Sequence, residues 1–406
     1  MSNGLNKIAV INPFGSSLGH SALYATKICQ SLANEGKDVT LFTSSDYNYK
    51  DVLGIDLPKY KLELSNIKAT SRNKKDLNRI FSVFKYGTKV VSDTWKTLNF
   101  FRQINKDNSY SHIHMIGGET ATNVIYSLFF FKGIKKFITV HNSDYDFKLY
   151  KNDSKIKGYY KLICRKIFSK YLLKKFNGIA VHGYQAKKDF EEQINNSLVS
   201  NKIFPINIGL SKVDNLYIKK KDDSITLLFF GVIRRDKGLD ILLDAIVRIN
   251  SPKIKLKIVG NPSQIPFEEV MSMVDNTGLS DQIECDLRYV DENEIPHIFS
   301  ECDYVVLPYY KTFRAQSVVL TLAAQYYRPI LSSNVGQNGY DIVKYGLGGV
   351  CESESIEDLK QLIEQAINEE ITVSNDNFDQ YFKDHSWEMM AKNLITMYTH
   401  KNIIVK

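Results

Sequence analysis

The sequence has few cysteines and no CxxC pair: Cys29, Cys164, Cys285, Cys302 and Cys351 are scattered over 406 residues. An odd number at irregular spacing fits neither a disulfide framework nor a zinc site, so they read as reduced, mostly core thiols. Long apolar runs are missing as well. The longest, Val124 to Phe131, covers eight residues, far short of the roughly 20 that cross a bilayer as a helix. The opening MSNGLNKIAVINPFGSS passes from polar residues into a short strand-like segment, without the apolar core of a signal peptide. A cytoplasmic location is expected. No repeat period stands out, and 43% hydrophobic with 24% charged residues excludes a wholly disordered, collagen-like or low-complexity chain.

What the sequence does have is charge asymmetry and alternation. Through Leu210 there are 32 Lys and Arg against 16 Asp and Glu, and from Ser211 onward 21 against 29. Such a split suggests that the first half faces an anionic partner, a membrane surface or a polyanion. Short β-branched runs alternate with longer amphipathic stretches, the pattern of parallel sheets covered by helices. Strands are expected at residues 8–11, 39–43, 112–116, 137–140, 179–182 and 203–206, then at 225–230, 255–259, 283–286, 304–307, 329–332 and 349–351. Helices are expected at 21–35, 239–249, 295–301, 318–326 and 356–367, and the lysine-rich stretch 211–224 reads as a linker. At roughly 150 residues per domain, the simplest architecture is α/β, two Rossmann-like doubly wound domains facing each other across a cleft.

Three segments could carry chemistry. The loop Asn12 to His20, with Gly15 and Gly19, follows the first strand and precedes a helix, where backbone amides can approach a ligand. It does not spell GxGxxG and no acidic residue closes the second strand, which disfavours a dinucleotide; a ligand-free tight turn is the alternative. In Phe229 to Leu239 (FFGVIRRDKGL), a buried strand ends in Gly231, and Arg234, Arg235 and Lys237 follow. Cations beyond the carboxyl end of a strand could hold a diphosphate, the alternative being a solvated basic loop. Third, the apolar helix within Tyr309 to Pro329 begins with Ala315, Gln316 and Ser317, whose amides and helix dipole could complete a phosphate cradle. An ordinary capped core helix would look the same.

Phe229-Phe230-Gly231, Ile233-Arg234, Lys237-Gly238-Leu239-Asp240, Cys302-Asp303, Leu307-Pro308-Tyr309, Ala315-Gln316-Ser317, Arg328-Pro329 and Val335-Gly336 together resemble the nucleotide-sugar glycosyltransferases of family 4, which have the GT-B fold. Val140-His141-Asn142 and Val181-His182-Gly183 resemble that family's strand-end segments, and Ser386-Trp387-Glu388 its terminal helix. The likeness covers nearly the whole chain. It implies an N-terminal domain at 1–212, to which a helix at 386–406 returns, and a nucleotide-sugar-binding domain at 213–385. It also implies that Arg234 and Lys237 contact the donor diphosphate and that anomeric configuration is retained. Many members carry two glutamates eight positions apart; here Arg314 and Leu322 occupy those places. A Gln-Ser branch of the family lacks them too.

Transfer from such a donor passes through a transition state with oxocarbenium character and releases a charged diphosphate. Arg234, Lys237, Gly231, Gly15 and the amides of Ala315, Gln316 and Ser317 are the candidate donor-binding groups, with His141 as a further candidate catalytic residue touching the sugar or the acceptor hydroxyl. A buried structural histidine is the alternative for His141. His182 and His20 are weaker candidates, while His112 and His114 alternate on a strand and read as structural. Asp144-Tyr145-Asp146 spells a metal-binding Asp-x-Asp, but that pattern arises often by chance; no metal and no cofactor is expected. Lys157 to Phe176 combines lysines with aromatic and aliphatic residues in helical order, fitting either core packing with a basic solvent face or peripheral contact with an anionic membrane. No nucleic-acid motif accompanies the charge. The expected activity is transfer of a sugar from a nucleotide-diphosphate sugar to a glycan or lipid-linked acceptor in surface polysaccharide assembly. The alternatives are a catalytically silent scaffold of the same fold and, third, an oxidoreductase.

Overall fold

The computed structural model describes residues 7–13, 20–45, 47, 59–64, 92, 95–106, 109–116, 120–129, 131–141, 155–213, 223–262, 265–313 and 316–400. The chain forms two compact units, Met1–Gly209 with Trp387–Lys406, and Leu210–Ser386.

The first unit is built on strands β1 (Lys7–Asn12), β2 (Asp38–Thr43), β3 (Lys61–Leu64), β4 (His112–Ile116), β5 (Lys135–Val140), β6 (Gly178–Val181) and β7 (Ile203–Pro205). They pair in parallel in the order β3-β2-β1-β4-β5-β6-β7. The inner strands are apolar on both faces, as in β1 and β6, where nearly every residue is buried. That is what a parallel sheet covered by helices on either side requires. β3 was not expected from the sequence. It is an edge strand (KLEL) with three exposed residues, so its charged positions hide the apolar pattern by which inner strands are recognised.

Helices α1 (His20–Asn34), α2 (Thr120–Leu128), α3 (Lys155–Ile167) and α4 (Tyr184–Ile194) belong to this unit. The basic stretch expected as one helix over 157–176 is three pieces: α3, a π-turn at Phe168–Leu172 and a 3-10 turn at Leu173–Lys175. Phe168, Leu172, Leu173 and Phe176 on these turns all enter the core.

The second unit repeats the plan with β8 (Ile225–Phe230), β9 (Ile254–Val259), β10 (Ile283–Asp286), β11 (Tyr304–Leu307), β12 (Ile330–Ser333) and β13 (Gly348–Cys351). Their order is β10-β9-β8-β11-β12-β13, again parallel. Its helices include α5 (Leu239–Ile249), α6 (Val318–Gln325), α7 (Gly336–Tyr345), α8 (Ile356–Ile367) and α9 (Asn375–Asp384). The last helix, α10 (Trp387–Thr399), packs Met390, Leu394, Met397 and Tyr398 into the core of the first unit beside Ile8, Tyr24 and Phe137. The outgoing and returning segments are tied where they leave the second unit, Leu210 N–H donating to the His385 carbonyl at 2.6 Å.

In both sheets the strand order reverses direction next to the first strand of the set, between β1 and β4 and between β8 and β11. In open α/β sheets ligands bind beyond the carboxyl ends of strands at such switch points.

Candidate functional site

At the switch point of the second unit, β8 delivers the chain to Gly231, whose φ of +96° suits glycine. A Cβ there would lie 3.2 Å from Lys237 Nζ and 3.3 Å from Val319 Cγ2, so the strand exit, the lysine and the first turn of α6 converge on this point. The chain then makes a 3-10 turn at Arg235–Lys237 and leaves it through Gly238, φ +69°. A side chain at Gly238 would place Cβ 1.9 Å from the Pro308 carbonyl oxygen, at the exit of β11. Only glycine lets the two strand exits approach this closely.

Lys237 is 7% exposed and its ammonium makes no hydrogen bond or ion pair among the described residues; its Nζ lies 5.7 Å from the centre of the Tyr309 ring. Burial, and then the neighbouring Arg234 charge, push its pKa down to about 8, with Asp236 opposing. An ammonium held in such a place without a counterion is a strong attractor for an anion. Arg234 is clamped by Asp236, donating from Nε at 2.9 Å and from Nη2 at 2.8 Å, and its guanidinium lies 5.7 Å from the Phe313 ring centre. Arg235 turns away, pairing with Glu269 at 2.8 Å on the surface.

The start of α6 is organised differently from the sequence expectation. Ser317 caps the helix, its Oγ accepting from Val319 N–H at 3.2 Å and lying 3.0 Å from the Tyr309 hydroxyl. Its own N–H donates to Asn338 Oδ1 on α7 at 2.9 Å, so these two amides are engaged internally. Gln316 turns inward, 7% exposed, and donates to Asp341 at 3.4 Å. Asp341 also accepts from Gln337 at 2.7 Å, and burial pushes its carboxyl up to about 7. His385, whose pKa burial lowers to about 4, faces the same carboxylate at 3.9 Å. The Gln316 side chain is thus part of a buried polar cluster with Asp341, Gln337 and His385.

The structure therefore brings together Gly231, Arg234, Lys237 and Ser317, while the Gln316 side chain bonds Asp341. Gly15, Ala315, Arg314, Asp144 and Asp146 lie outside the described residues. Leu322 is half-buried against the apolar core of its unit and supplies no carboxylate. His141 follows β5 in the first unit, half-buried, with its Nδ1 2.8 Å from His182 Nε2 and its ring edge-on to Tyr24 at 4.7 Å. His114, fully buried, bonds Tyr398 and Thr139 at 2.5 and 2.8 Å, and burial lowers its pKa to about 3; its part is structural. Asp236 and Asn338 were not singled out in the sequence, and Tyr309 only as part of the Leu307-Pro308-Tyr309 segment. Asp236 sits two residues from Arg234, but the bend that lets it chelate the guanidinium leaves no mark in the spacing. A cavity of about 320 Å³ beyond β13 is lined by Glu352 and Asp358, the wrong charge for a phosphate.

The two units, each a parallel Rossmann-like sheet flanked by helices, define the GT-B fold class. Sucrose-phosphate synthase from Thermosynechococcus elongatus superimposes with a TM-score of 0.70 at 16% identity, covering 97% of this chain and 98% of that one. The Anabaena protein HepE, solved in complex with UDP-glucose, gives 0.67 at 14% identity, covering 97% and 100%. Residues 217–385, nearly the whole second unit, match the family model described as glycosyl transferases group 1. Among curated proteins, GDP-mannose:glycolipid 4-beta-D-mannosyltransferase of Xanthomonas campestris pv. campestris is 35% identical over 107 residues, or 26% of this chain. The match spans only 29% of that relative's length. Among the described residues no helix is long and apolar enough to cross a membrane.

Proposed function

We propose that the protein is a retaining, metal-independent hexosyltransferase. It moves a sugar from a nucleotide-diphosphate donor to a glycan acceptor, lipid-linked, in bacterial-type surface polysaccharide assembly. The observation that carries this reading is the buried Lys237 ammonium at the β8/β11 switch point, without a hydrogen bond or ion pair among the described residues, and with Arg234 beside it. When the anomeric C–O bond breaks, negative charge accumulates on the departing diphosphate. A fixed cation aimed there stabilises the transition state more than the ground state. Asp236 holds Arg234 in a set orientation, so the guanidinium loses little freedom when phosphate oxygens arrive. The glycolipid mannosyltransferase relative, named for a GDP-mannose donor, and the neighbour bound to UDP-glucose support a nucleotide-sugar donor.

Peripheral contact with an anionic membrane surface belongs to the same reading. Tyr159, Ile163, Ile167 and Tyr171, at four-residue steps along α3 and the π-turn, are all exposed, and Lys166, Lys170 and Lys174 beside them are exposed too. Aromatic and aliphatic groups among lysines suit the boundary of anionic lipid, where a lipid-linked acceptor resides.

The test is turnover and nucleotide binding over a panel of UDP-, GDP-, ADP- and dTDP-sugars. Wild type should bind at least one donor and release its nucleotide diphosphate, while Lys237→Ala and Arg234→Ala should lose about 100-fold or more in kcat/KM. A second reading, a catalytically silent scaffold, is favoured by Leu322 standing where many family 4 members have a glutamate. Binding of a partner protein with no turnover of any donor would replace the first reading by the second.

A further inference from the structure

Three helices of the second unit meet around a buried carboxylate. Asp341 on α7 is 1% exposed, and so is His385, the residue that ends α9. Asp341 Oδ1 accepts from Gln337 Nε2 at 2.7 Å, and its Oδ2 accepts at 3.4 Å from Gln316 Nε2, just ahead of α6. Towards α9 the same Oδ2 faces His385 Nε2 at 3.9 Å. The His385 ring stacks on Tyr381, 3.8 Å between centres, and stands edge-on to Tyr345 at 5.5 Å.

The hydrogen bonds fix what the imidazole presents to the carboxylate. His385 Nδ1 lies 2.9 Å from the Tyr381 carbonyl oxygen. A carbonyl only accepts, so this nitrogen carries hydrogen. Burial keeps the ring neutral, its pKa lowered to about 4, and the lone pair is therefore on Nε2. That atom is shut off from solvent and makes no hydrogen bond among the described residues. Two acceptors thus confront each other in the interior, where an unmade hydrogen bond is costly. Lys344 on α7 favours the carboxylate from a distance, but its Nζ donates to the Tyr345 hydroxyl at 2.8 Å and lies 3.9 Å from Asp384 at the end of α9. Tyr345 and Tyr381 stay neutral, burial raising both well above the ordinary phenol range. One added proton would satisfy both acceptors.

We propose that Asp341 and His385 form a proton-binding latch: a proton between Oδ2 and Nε2 ties α7 to the end of α9, and its loss releases them. With the proton in place the contact becomes a hydrogen bond, about 1 Å shorter than the present separation. Without it, the buried negative charge repels the lone pair. The latch acts where the chain enters the second unit, because the His385 carbonyl accepts the Leu210 N–H at 2.6 Å. It also reaches the start of α6, since Gln316 precedes the capping Ser317. Burial raises the Asp341 carboxyl to about 7, so the latch works near neutrality. It does not rest on the transferase reading, and either can fail alone.

In the unfolded chain an aspartate loses its proton near pH 4. The stability that Asp341 contributes is therefore full below that pH and is lost as pH climbs to about 7. His385, lowered to about 4 from 6.5, acts in the opposite sense between those values. Comparing proteins that both keep His385 cancels its part.

The experiment is a pH titration of the full chain by carboxyl ¹³C and histidine ¹⁵N NMR. Asp341 is assigned by its loss in Asp341→Asn and His385 by its loss in His385→Gln. The Asp341 carboxyl should titrate within about one unit of pH 7, with His385 Nε2 shifting at the same midpoint. Titration in the ordinary carboxylate range overturns the proposal. Asp341→Asn mimics the protonated acid, its carboxamide donating to Nε2 and accepting from the two glutamines. In urea unfolding its folding equilibrium constant, relative to wild type, should rise at least about tenfold between pH 4 and pH 8. A constant ratio overturns the proposal. Exchange of the Leu210 amide hydrogen in wild type should quicken above pH 7 by more than base catalysis alone, and in Asp341→Asn by base catalysis only. The same pH dependence in both proteins overturns the latch.

Discussion

The exits of β5 and β6 in the first unit carry two imidazoles bonded in series to a backbone carbonyl, whereas those of β8 and β11 in the second carry a buried ammonium with no hydrogen bond or ion pair among the described residues. Both sheets have the same central strand order. What differs is the handful of residues that follow each strand: HN and HG on one side, GVIRRDKG on the other. The overall charge points the wrong way. The half of the sequence with more acidic than basic residues is the one that holds the buried Lys237. Bulk charge describes the surface presented to a partner, whereas the candidate site depends on where one buried charge is placed.

The largest effect should come from closing the space in which the two exits of the second unit meet. Gly238→Ala forces a Cβ to within 1.9 Å of the Pro308 carbonyl at a positive φ, and should destabilise that unit by about 3 kcal/mol or more. An equivalent change at Gly36, where a Cβ would meet nothing within 4 Å, carries only the backbone penalty of about 1 kcal/mol. Urea unfolding of the two variants measures the contrast.

Next in size is an opposite effect. Because Lys237 has its folded pKa lowered to about 8 from 10.5, the unfolded chain binds more protons between those values, and stability from this group rises as pH climbs from about 8 to about 10.5. Below pH 8 the full cost of the buried charge is present. Lys237→Met should therefore be more stable than wild type at pH 7, by up to about 3 kcal/mol, with the advantage shrinking above pH 8. Equal unfolding midpoints at pH 7 and pH 10 would remove the buried ammonium from the account.

The smallest expected effect concerns the first unit. Ile163→Ser with Tyr171→Ser removes two exposed apolar groups and should weaken cosedimentation with anionic vesicles about three- to tenfold, without altering donor binding. No change in sedimentation would confine the stripe to a solvent face.

How much of this was readable in advance follows from which interactions are local. Strands such as β5 (KKFITV) and β8 (ITLLFF) announce themselves because they are apolar on both faces. Arg234 and Lys237 could be singled out because they follow a strand-ending glycine within seven residues. The edge strand β3 could not, and neither could the π-turn after α3, which no residue type at the turn signals. Gln316 shows the limit at the site. Its place at a helix start is plain in the sequence, but which way its carboxamide turns depends on Asp341, 25 residues on. Asn338, which takes the Ser317 amide, is likewise beyond local inspection.

The central claim is that Lys237 is the charge that meets the diphosphate. Titration calorimetry of a nucleotide diphosphate into wild type and Lys237→Met, at about pH 7 and about pH 9 in buffers of different ionisation enthalpy, addresses it directly. The account predicts proton uptake on binding to wild type at pH 9, above the free lysine's pKa of about 8, little uptake at pH 7, and affinity at least about 30-fold weaker in the variant with no lysine-linked uptake. Equal affinity in the two proteins, with the same proton balance at both pH values, would contradict it.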